Sequence, residues 1–244
     1  MKFAVIGGTG LIGSHIVAAL AADGHDAVPH ARSTGVDLLT GTGLAPALTG
    51  VDVVIDATLS PATDDTSAEF FRTATGNLLE AAEQAGVRHA VLMSIVGVDQ
   101  VPDLGYYRAK VAQEELFKTG PVPYSIVRAT QFFEYLDEII SWTADGDAVR
   151  LPSPLLQPVA AGDAARAVVD IAVGAPLHGI RDVVGPEAIA LDDIGRITLA
   201  ARGDKRIVTT DNTAGPFASA PADALTAKDG AQITPTRYRD WLPA

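Results

Sequence analysis

Apolar residues in the first two-thirds of the chain fall alternately into short unbroken runs and longer stretches with helical spacing. Phe3-Ala4-Val5-Ile6 is a short apolar run ended by glycines, which predicts a strand buried on both faces. Residues 11–22 are rich in Ala, Leu and Ile and stop near Gly24, which predicts a helix. Residues 26–32 predict a weaker strand, because Pro29 interrupts them. Residues 51–56 predict a strong buried strand. Thr66-Ser67-Ala68-Glu69 has the form of a capping box and predicts a long helix to about Ala85, stopped by Gly86. A strand over 89–94, a helix over 105–118, a turn at Gly120-Pro121, a strand over 124–127 and a helix over 131–142 follow in the same rhythm.

Beyond that point the pattern loosens. Pro152, Pro154 and Pro158 come close together, and a helix over 162–173 with Asp163 as its cap is expected next. A strand over 180–184 and a helix over 191–201 are expected after it, and residues 209–231 read as loop. Strands separated by helices imply parallel pairing with right-handed crossovers. The expected fold is α/β, a Rossmann-type doubly wound parallel sheet with a small C-terminal α+β portion on the substrate side. The 244 residues suit one domain, with a core over 1–145 and the smaller portion over roughly 146–244.

Composition narrows the partners. A formal net charge of −12 argues against a nucleic-acid surface, which needs a basic patch. With no cysteine there is no disulfide, thiolate chemistry or thiolate-held zinc, and the five histidines lack metal-ligand spacing. The apolar stretch 3–20 is interrupted by four glycines, Ser14 and His15, too broken to span a bilayer, so a cytoplasmic location is the expectation. A small-molecule substrate is expected, and a homodimer or a protein partner is left open.

The candidate chemistry begins at Gly7-Gly8-Thr9-Gly10-Leu11-Ile12-Gly13, directly between the first strand and the first helix. The spacing satisfies both Gly8-x-Gly10-x-x-Gly13 and Gly7-x-x-Gly10-x-x-Gly13. A tight turn needs a residue free to take positive φ, a diphosphate needs backbone without a Cβ in its way, and helix and strand need to pack closely. The helix N-terminus then offers free N–H donors to phosphate. Gly7, Thr9, Gly10, Leu11, Ile12 and Gly13 are the expected cradle, joined by Ala57 and Thr58 after the strand at 51–56. Where an NAD site carries Asp or Glu at the end of the second strand, this chain has Arg32-Ser33, which suits the 2′-phosphate of NADP. The alternative for Arg32 is an ordinary surface arginine. Asp37-Leu38 could face the adenine, or Asp37 could be a solvated loop residue.

Tyr106-x-x-x-Lys110 places a phenol and an ammonium one helical turn apart. An ammonium beside a phenol lowers its pKa, and such a tyrosine can act as general acid or base on a carbonyl/alcohol pair. Lys110 can also hold the nicotinamide ribose, and Ser94, at the end of the preceding strand, can orient a substrate oxygen. Tyr107 is a rival proton donor. The spacing is common by chance, so Tyr106 as a loop aromatic and Lys110 as a solvated residue stand beside this reading.

Taken with Leu92-Met93-Ser94-Ile95-Val96-Gly97-Val98, Tyr107-Arg108-Ala109-Lys110 with Glu114, and residues 124–133, the glycine turn resembles that of the atypical short-chain dehydrogenase/reductases, in particular the NmrA-like NAD(P)-binding proteins. The segment 157–165 resembles that family's return toward the sheet, and the resemblance fades beyond about residue 200. It implies that Thr130, Gln131 and Phe132 border the nicotinamide or the substrate mouth, although Phe132 and Phe133 could also be core packing. Ala129 stands where the family commonly has Pro, and many NmrA-like members lack the tyrosine. Two activities follow as expectations: an NADP(H)-dependent oxidoreductase acting on a small carbonyl or quinone-like substrate, or a non-catalytic NADP(H) redox sensor regulating a protein partner. A sugar-nucleotide epimerase or dehydratase fits less well, because those relatives usually carry a larger C-terminal substrate domain.

Overall fold

The computed structural model describes residues 1–243. In chain order the elements are β1 (Lys2–Ile6), α1 (Leu11–Ala22), β2 (Asp26–His30), α2 (Leu44–Leu48), β3 (Val53–Asp56), α3 (Ser67–Gln84), β4 (His89–Ile95), α4 (Gly105–Thr119), β5 (Tyr124–Ala129) and α5 (Leu136–Ser141). There follow β6 (Ala144–Asp145), β7 (Ala148–Leu151), β8 (Leu155–Leu156), α6 (Ala161–Ala172), β9 (Ile180–Val184), β10 (Ile189–Ala190), α7 (Leu191–Ala201), β11 (Ile207–Thr210), β12 (Gln232–Ile233) and α8 (Tyr238–Trp241).

Seven strands form one sheet in the order β12-β9-β5-β4-β3-β1-β2, and every pairing in it is parallel. The order reverses between β1 and β3, so the chain leaves a crevice at the carboxyl ends of those two strands, where ligands bind in doubly wound sheets. No further strand lies outside β2 among the described residues; the connection from β2 to β3 holds a single turn and the short α2.

The apolar runs are buried on both faces, as a parallel sheet requires. On one face Phe3, Val5, Ile55, Val91 and Val127 pack under α1 and α6. On the other, Ala4, Ile6, Val54, Leu92 and Ile126 pack under α2, α3 and α4, with Leu78 and Phe117 at the centre. A third apolar cluster joins α5, α7, α8 and β7 around Phe133, Leu151, Ile194 and Tyr238. Residues 161–184 rejoin the main sheet through α6 and β9, and β12 adds to its edge, so the smaller C-terminal portion is built from α5 to β8 and from β10, α7, β11 and α8.

Three local expectations need correction. Thr66 does not cap α3: it is already in helical conformation, and both its amide and its hydroxyl donate to Asp64 Oδ1, at 3.0 and 2.5 Å. Asp163 does not cap α6; it accepts the Thr236 amide at 3.1 Å, while the Glu134 carboxylate reaches the Ala161 amide at 3.1 Å and takes over that end of the helix. Residues 131–142 are not one helix. Val159 donates to Gln131 O and accepts from Phe133 N, which holds Gln131 and Phe132 extended, and only a 3-10 turn over Phe133–Tyr135 and the short α5 follow. Among the described residues no helix is long and apolar enough to cross a membrane.

Candidate functional site

The glycine turn sits at the β1/β3 switch point. Gly7 adopts φ +75°, and a Cβ there would stand 2.7 Å from Ala57 O. The Gly7 and Gly8 amides both donate to His30 O, at 2.9 and 3.3 Å, which ties the turn to the end of β2. A Cβ on Gly13 would overlap the Gly7 carbonyl, so this glycine is what lets α1 approach β1. Gly10 differs from both. Its backbone is ordinary (φ −81°, ψ −179°), it is exposed, and a Cβ would meet only Gly7 O at 3.3 Å. Protein contacts thus demand glycine far less at position 10 than at 7 and 13, and the exposed backbone there leaves room for a phosphate.

The amides support the same reading. Gly10 N donates to Gly7 O and Ser14 N to Gly10 O, while those of Thr9, Leu11, Ile12 and Gly13 have no acceptor among the described residues. Four free N–H groups at the positive end of a 12-residue helix, with no Cβ at Gly10, fit a diphosphate.

The other expected cofactor residues follow the carboxyl ends of β2, β3 and β5. Arg32 and Ser33 form a 3-10 turn directly after β2; both are exposed or half-exposed, and Arg32 makes no ion pair among the described residues. Asp37 Oδ1 accepts the Leu39 amide at 2.9 Å, a local turn, and Leu38 is buried with its carbonyl bonded to Asn77 Nδ2 at 2.7 Å. Ala57 N donates to Ile6 O, and the Thr58 amide and hydroxyl both donate to Asp56 Oδ1, at 3.0 and 2.6 Å. Thr130 is buried with its hydroxyl donating to Gln157 O at 2.6 Å, and Phe132 packs against the core under α1 and α6.

The Ser94, Tyr106 and Lys110 side chains are arranged differently from the expectation. Ser94 is buried and its hydroxyl donates to Glu114 Oε1 at 2.6 Å. The same carboxylate takes a bidentate fork from Arg128, at 2.8 Å from Nε and 2.7 Å from Nη2. Ser94 and Arg128 are in register on neighbouring strands, so Glu114 clamps α4 onto β4 and β5. Burial works against the Arg128 charge, but Glu114 and Asp99 more than offset it and hold the guanidinium above its ordinary range.

Lys110 is buried and turned inward. Its ammonium donates to Met93 O at 2.8 Å and to Gln113 Oε1 at 2.6 Å, and it stands 4.9 Å from the centre of the Phe71 ring. Gln113 Nε2 donates in turn to Asp56 Oδ2 at 3.0 Å and to Thr75 Oγ1 at 3.1 Å. Burial pushes the Lys110 ammonium down to about 8, against the pull of Asp56 and Glu114.

The expected lowering of the Tyr106 phenol is therefore absent. Burial pushes its pKa up, with Tyr135 and Asp56 adding to the effect, because the ammonium faces the interior and not the phenol. The Tyr106 hydroxyl has no hydrogen-bond partner among the described residues, and its ring packs edge-on against Phe71 at 5.9 Å. Tyr107 is buried, with its hydroxyl accepting from Gln131 Nε2 at 3.3 Å. Sequence reasoning alone assigns no role to Glu114 and Arg128 and passes over Gln113. Their signal is position: Lys110, Gln113 and Glu114 share one face of α4.

Comparison with known proteins agrees with this fold. The E. coli NADPH-dependent quinone oxidoreductase QOR2, solved with NADPH, superposes with a TM-score of 0.74 at 17% identity, covering 99% of this chain and 98% of that one. The UDP-glucose 4-epimerase of Thermus thermophilus, solved with NAD, gives 0.70 at 21% identity over 86% of each chain. These likenesses show the fold. By sequence, the photosystem II assembly factor Ycf39 of Synechocystis is 28% identical over 151 residues, 56% of this chain and 46% of that protein. The Ycf39 of Trieres chinensis is 27% identical over 153 residues, 57% of this chain and 48% of that protein. The matched stretch thus spans just under half the length of those relatives. A family model described as NAD(P)H-binding matches residues 7–172, from the glycine turn to the end of α6 and more than half of the 244 residues, so the chain belongs to the NAD(P)H-binding family.

Proposed function

We propose that the chain is an NADP(H)-dependent oxidoreductase that reduces a quinone-like acceptor, with small carbonyls as poorer substrates. The observation that carries this reading is the commitment of two of the three expected catalytic side chains. Ser94 and Lys110 spend their protons on Glu114, Met93 O and Gln113, while Tyr106 keeps a free hydroxyl. Reduction of a simple carbonyl leaves an alkoxide that needs a proton delivered in the transition state. Reduction of a quinone leaves an aromatic oxyanion that is stable enough to be protonated by water, so one neutral hydrogen-bond donor suffices. The high Tyr106 pKa suits that donor role.

The bound nicotinamide would supply the hydride. For the rest, the amides of Thr9, Leu11, Ile12 and Gly13 would hold the diphosphate and Gly10 would admit it. Arg32 and Ser33 would hold the 2′-phosphate, with Ala57, Thr58, Asp37 and Leu38 bordering the adenosine. Lys110, Thr130 and Phe132 would border the nicotinamide ribose, Lys110 through the one N–H its two internal bonds leave over. Ser94 would act through Glu114 and the seating of α4, not on the substrate oxygen. Preference for NADPH is supported by Arg32, which has no competing carboxylate among the described residues, and the E. coli neighbour solved with NADPH is consistent with it.

The test is NADPH oxidation against matched panels of quinones and aldehydes, with the wild type and Tyr106→Phe. Turnover of quinones ahead of aldehydes is expected, with kcat lowered about tenfold or more in Tyr106→Phe and NADPH affinity kept. Tight NADPH binding with no acceptor reduced would overturn the enzymatic reading in favour of a cofactor sensor.

A further inference from the structure

We infer that Gln113 is a positioning residue, whose carboxamide fixes the Lys110 ammonium and joins it to the strand-end loop that carries the cofactor cradle. The inference deepens the proposed function and rests on the reading of Lys110 as a cofactor-binding residue.

Three observations carry it. First, Gln113 is 1% exposed and both ends of its carboxamide are engaged: Oε1 accepts from Lys110, and Nε2 donates to Asp56 Oδ2 and Thr75 Oγ1. An amide with both ends occupied has one orientation; a flipped carboxamide would set Nε2 against the ammonium and Oε1 against the carboxylate, two mismatches. Second, the chain of contacts does not stop at Asp56. Its other oxygen holds the Thr58 amide and hydroxyl, and the Ala57-Thr58 backbone lies so close to Gly7 that a Cβ there would stand 2.7 Å from Ala57 O. A continuous path thus runs from the diphosphate turn through Thr58, Asp56 and Gln113 to Lys110. Third, the carboxamide keeps cation and carboxylate apart. A direct Lys110–Asp56 pair would draw the ammonium toward β3; with Gln113 between them it stays bonded to Met93 O at the end of β4.

Asp56 on β3 and Glu114 on α4 are the charged groups that act on Lys110, while α3 offers it Phe71 and β4 a carbonyl. Replacing the carboxamide by an isosteric carboxylate sets one oxygen 2.6 Å from the ammonium and the other 3.0 Å from Asp56 Oδ2, so the two carboxyls share a proton at low pH and bring an added charge to Lys110 once it is released.

The experiment uses the full chain with its lysine side chains labelled with carbon-13. There are five, so each resonance can be assigned by substitution. In the cofactor-free protein, Lys110 is expected to titrate near pH 8, and in Gln113→Glu its midpoint is expected to move up by about one pH unit or more. In parallel, NADPH is titrated at pH 7 into the wild type, Gln113→Glu, Gln113→Leu and Lys110→Met. Gln113→Leu is expected to weaken NADPH about tenfold, approaching Lys110→Met, and Gln113→Glu, which can still accept from Lys110, less than Gln113→Leu.

An unmoved Lys110 midpoint in folded Gln113→Glu overturns the inference, and so does wild-type NADPH affinity in both Gln113 variants while Lys110→Met is weakened. Wild-type affinity in Lys110→Met itself instead overturns the cofactor role of Lys110; the NMR shift in Gln113→Glu still decides whether Gln113 positions the ammonium.

Discussion

A Cβ on Gly13 would overlap the carbonyl oxygen of Gly7, so the first turn of α1 and the end of β1 touch backbone to backbone. That contact sets the angle at which the N-terminus of α1 faces the β1/β3 crevice. The three glycines also differ in what they do. Gly7 makes the left-handed turn, Gly13 permits the approach, and Gly10 leaves room beside four free amides.

Gly13→Ala therefore tests the fold more than the site. Overpacking against rigid backbone costs about 1–3 kcal/mol, which lowers the melting temperature by roughly 2–12 °C in a chain of this size. Gly10→Ala, with ordinary φ and only one close neighbour, is expected to melt within about 2 °C of the wild type. Calorimetry on the two variants checks the contrast, and equal losses would contradict the separation of roles.

Arg32 follows β2 without a carboxylate partner among the described residues. A charge-assisted bond to phosphate contributes about 1.5–3 kcal/mol. Arg32→Ala is thus expected to raise the Kd for NADPH about tenfold to a hundredfold and to leave that for NADH within about twofold. Fluorescence titration of both cofactors reads this directly. An equal loss for both would mean that Arg32 does not read the 2′-phosphate.

Lys110 gives the fold a signature in alkali. Its folded pKa, about 8, lies below the ordinary lysine value of 10.5. Between those values the unfolded chain binds more protons than the folded one, so stability gains with rising pH. Below pH 8 both states hold the proton and the burial cost is present in full; above 10.5 both have lost it and the cost is gone. The stability of the wild type relative to Lys110→Met is expected to rise from pH 8 to 10.5 by up to about 3 kcal/mol, measured by urea unfolding. A flat or falling difference would show that the ammonium is not buried as described.

Much of this architecture is legible in the sequence because its signals are local and backbone-based. Apolar runs at 3–6 and 51–56 carry their own strand signature, and the helices at 11–22 and 191–201 begin and end where composition predicts. The glycine turn is legible for the same reason, since Gly7 and Gly13 each answer a requirement of neighbouring backbone. Tertiary partners are not legible. Thr66 has the pattern of a capping box, but Asp64, two residues earlier, claims its hydroxyl. Residues 131–142 have helical spacing, but pairing with Val159, distant in sequence, keeps Gln131 and Phe132 extended. Ser94 and Lys110 stand out in the sequence as strand-end and helix groups, yet which way their protons point depends on Glu114 and Gln113, and spacing does not show that.

The most direct test places an aspartate at Gly10. At the N-cap of α1 an aspartate side chain is favourable for the helix, so the variant should fold as well as the wild type. Its carboxylate would also occupy the space and the amides assigned to the diphosphate. Isothermal titration of NADPH should show binding to the wild type and a loss of about a hundredfold or more in Gly10→Asp at unchanged melting temperature. Equal affinity in the two proteins, or none in the wild type, would contradict the placement of the dinucleotide.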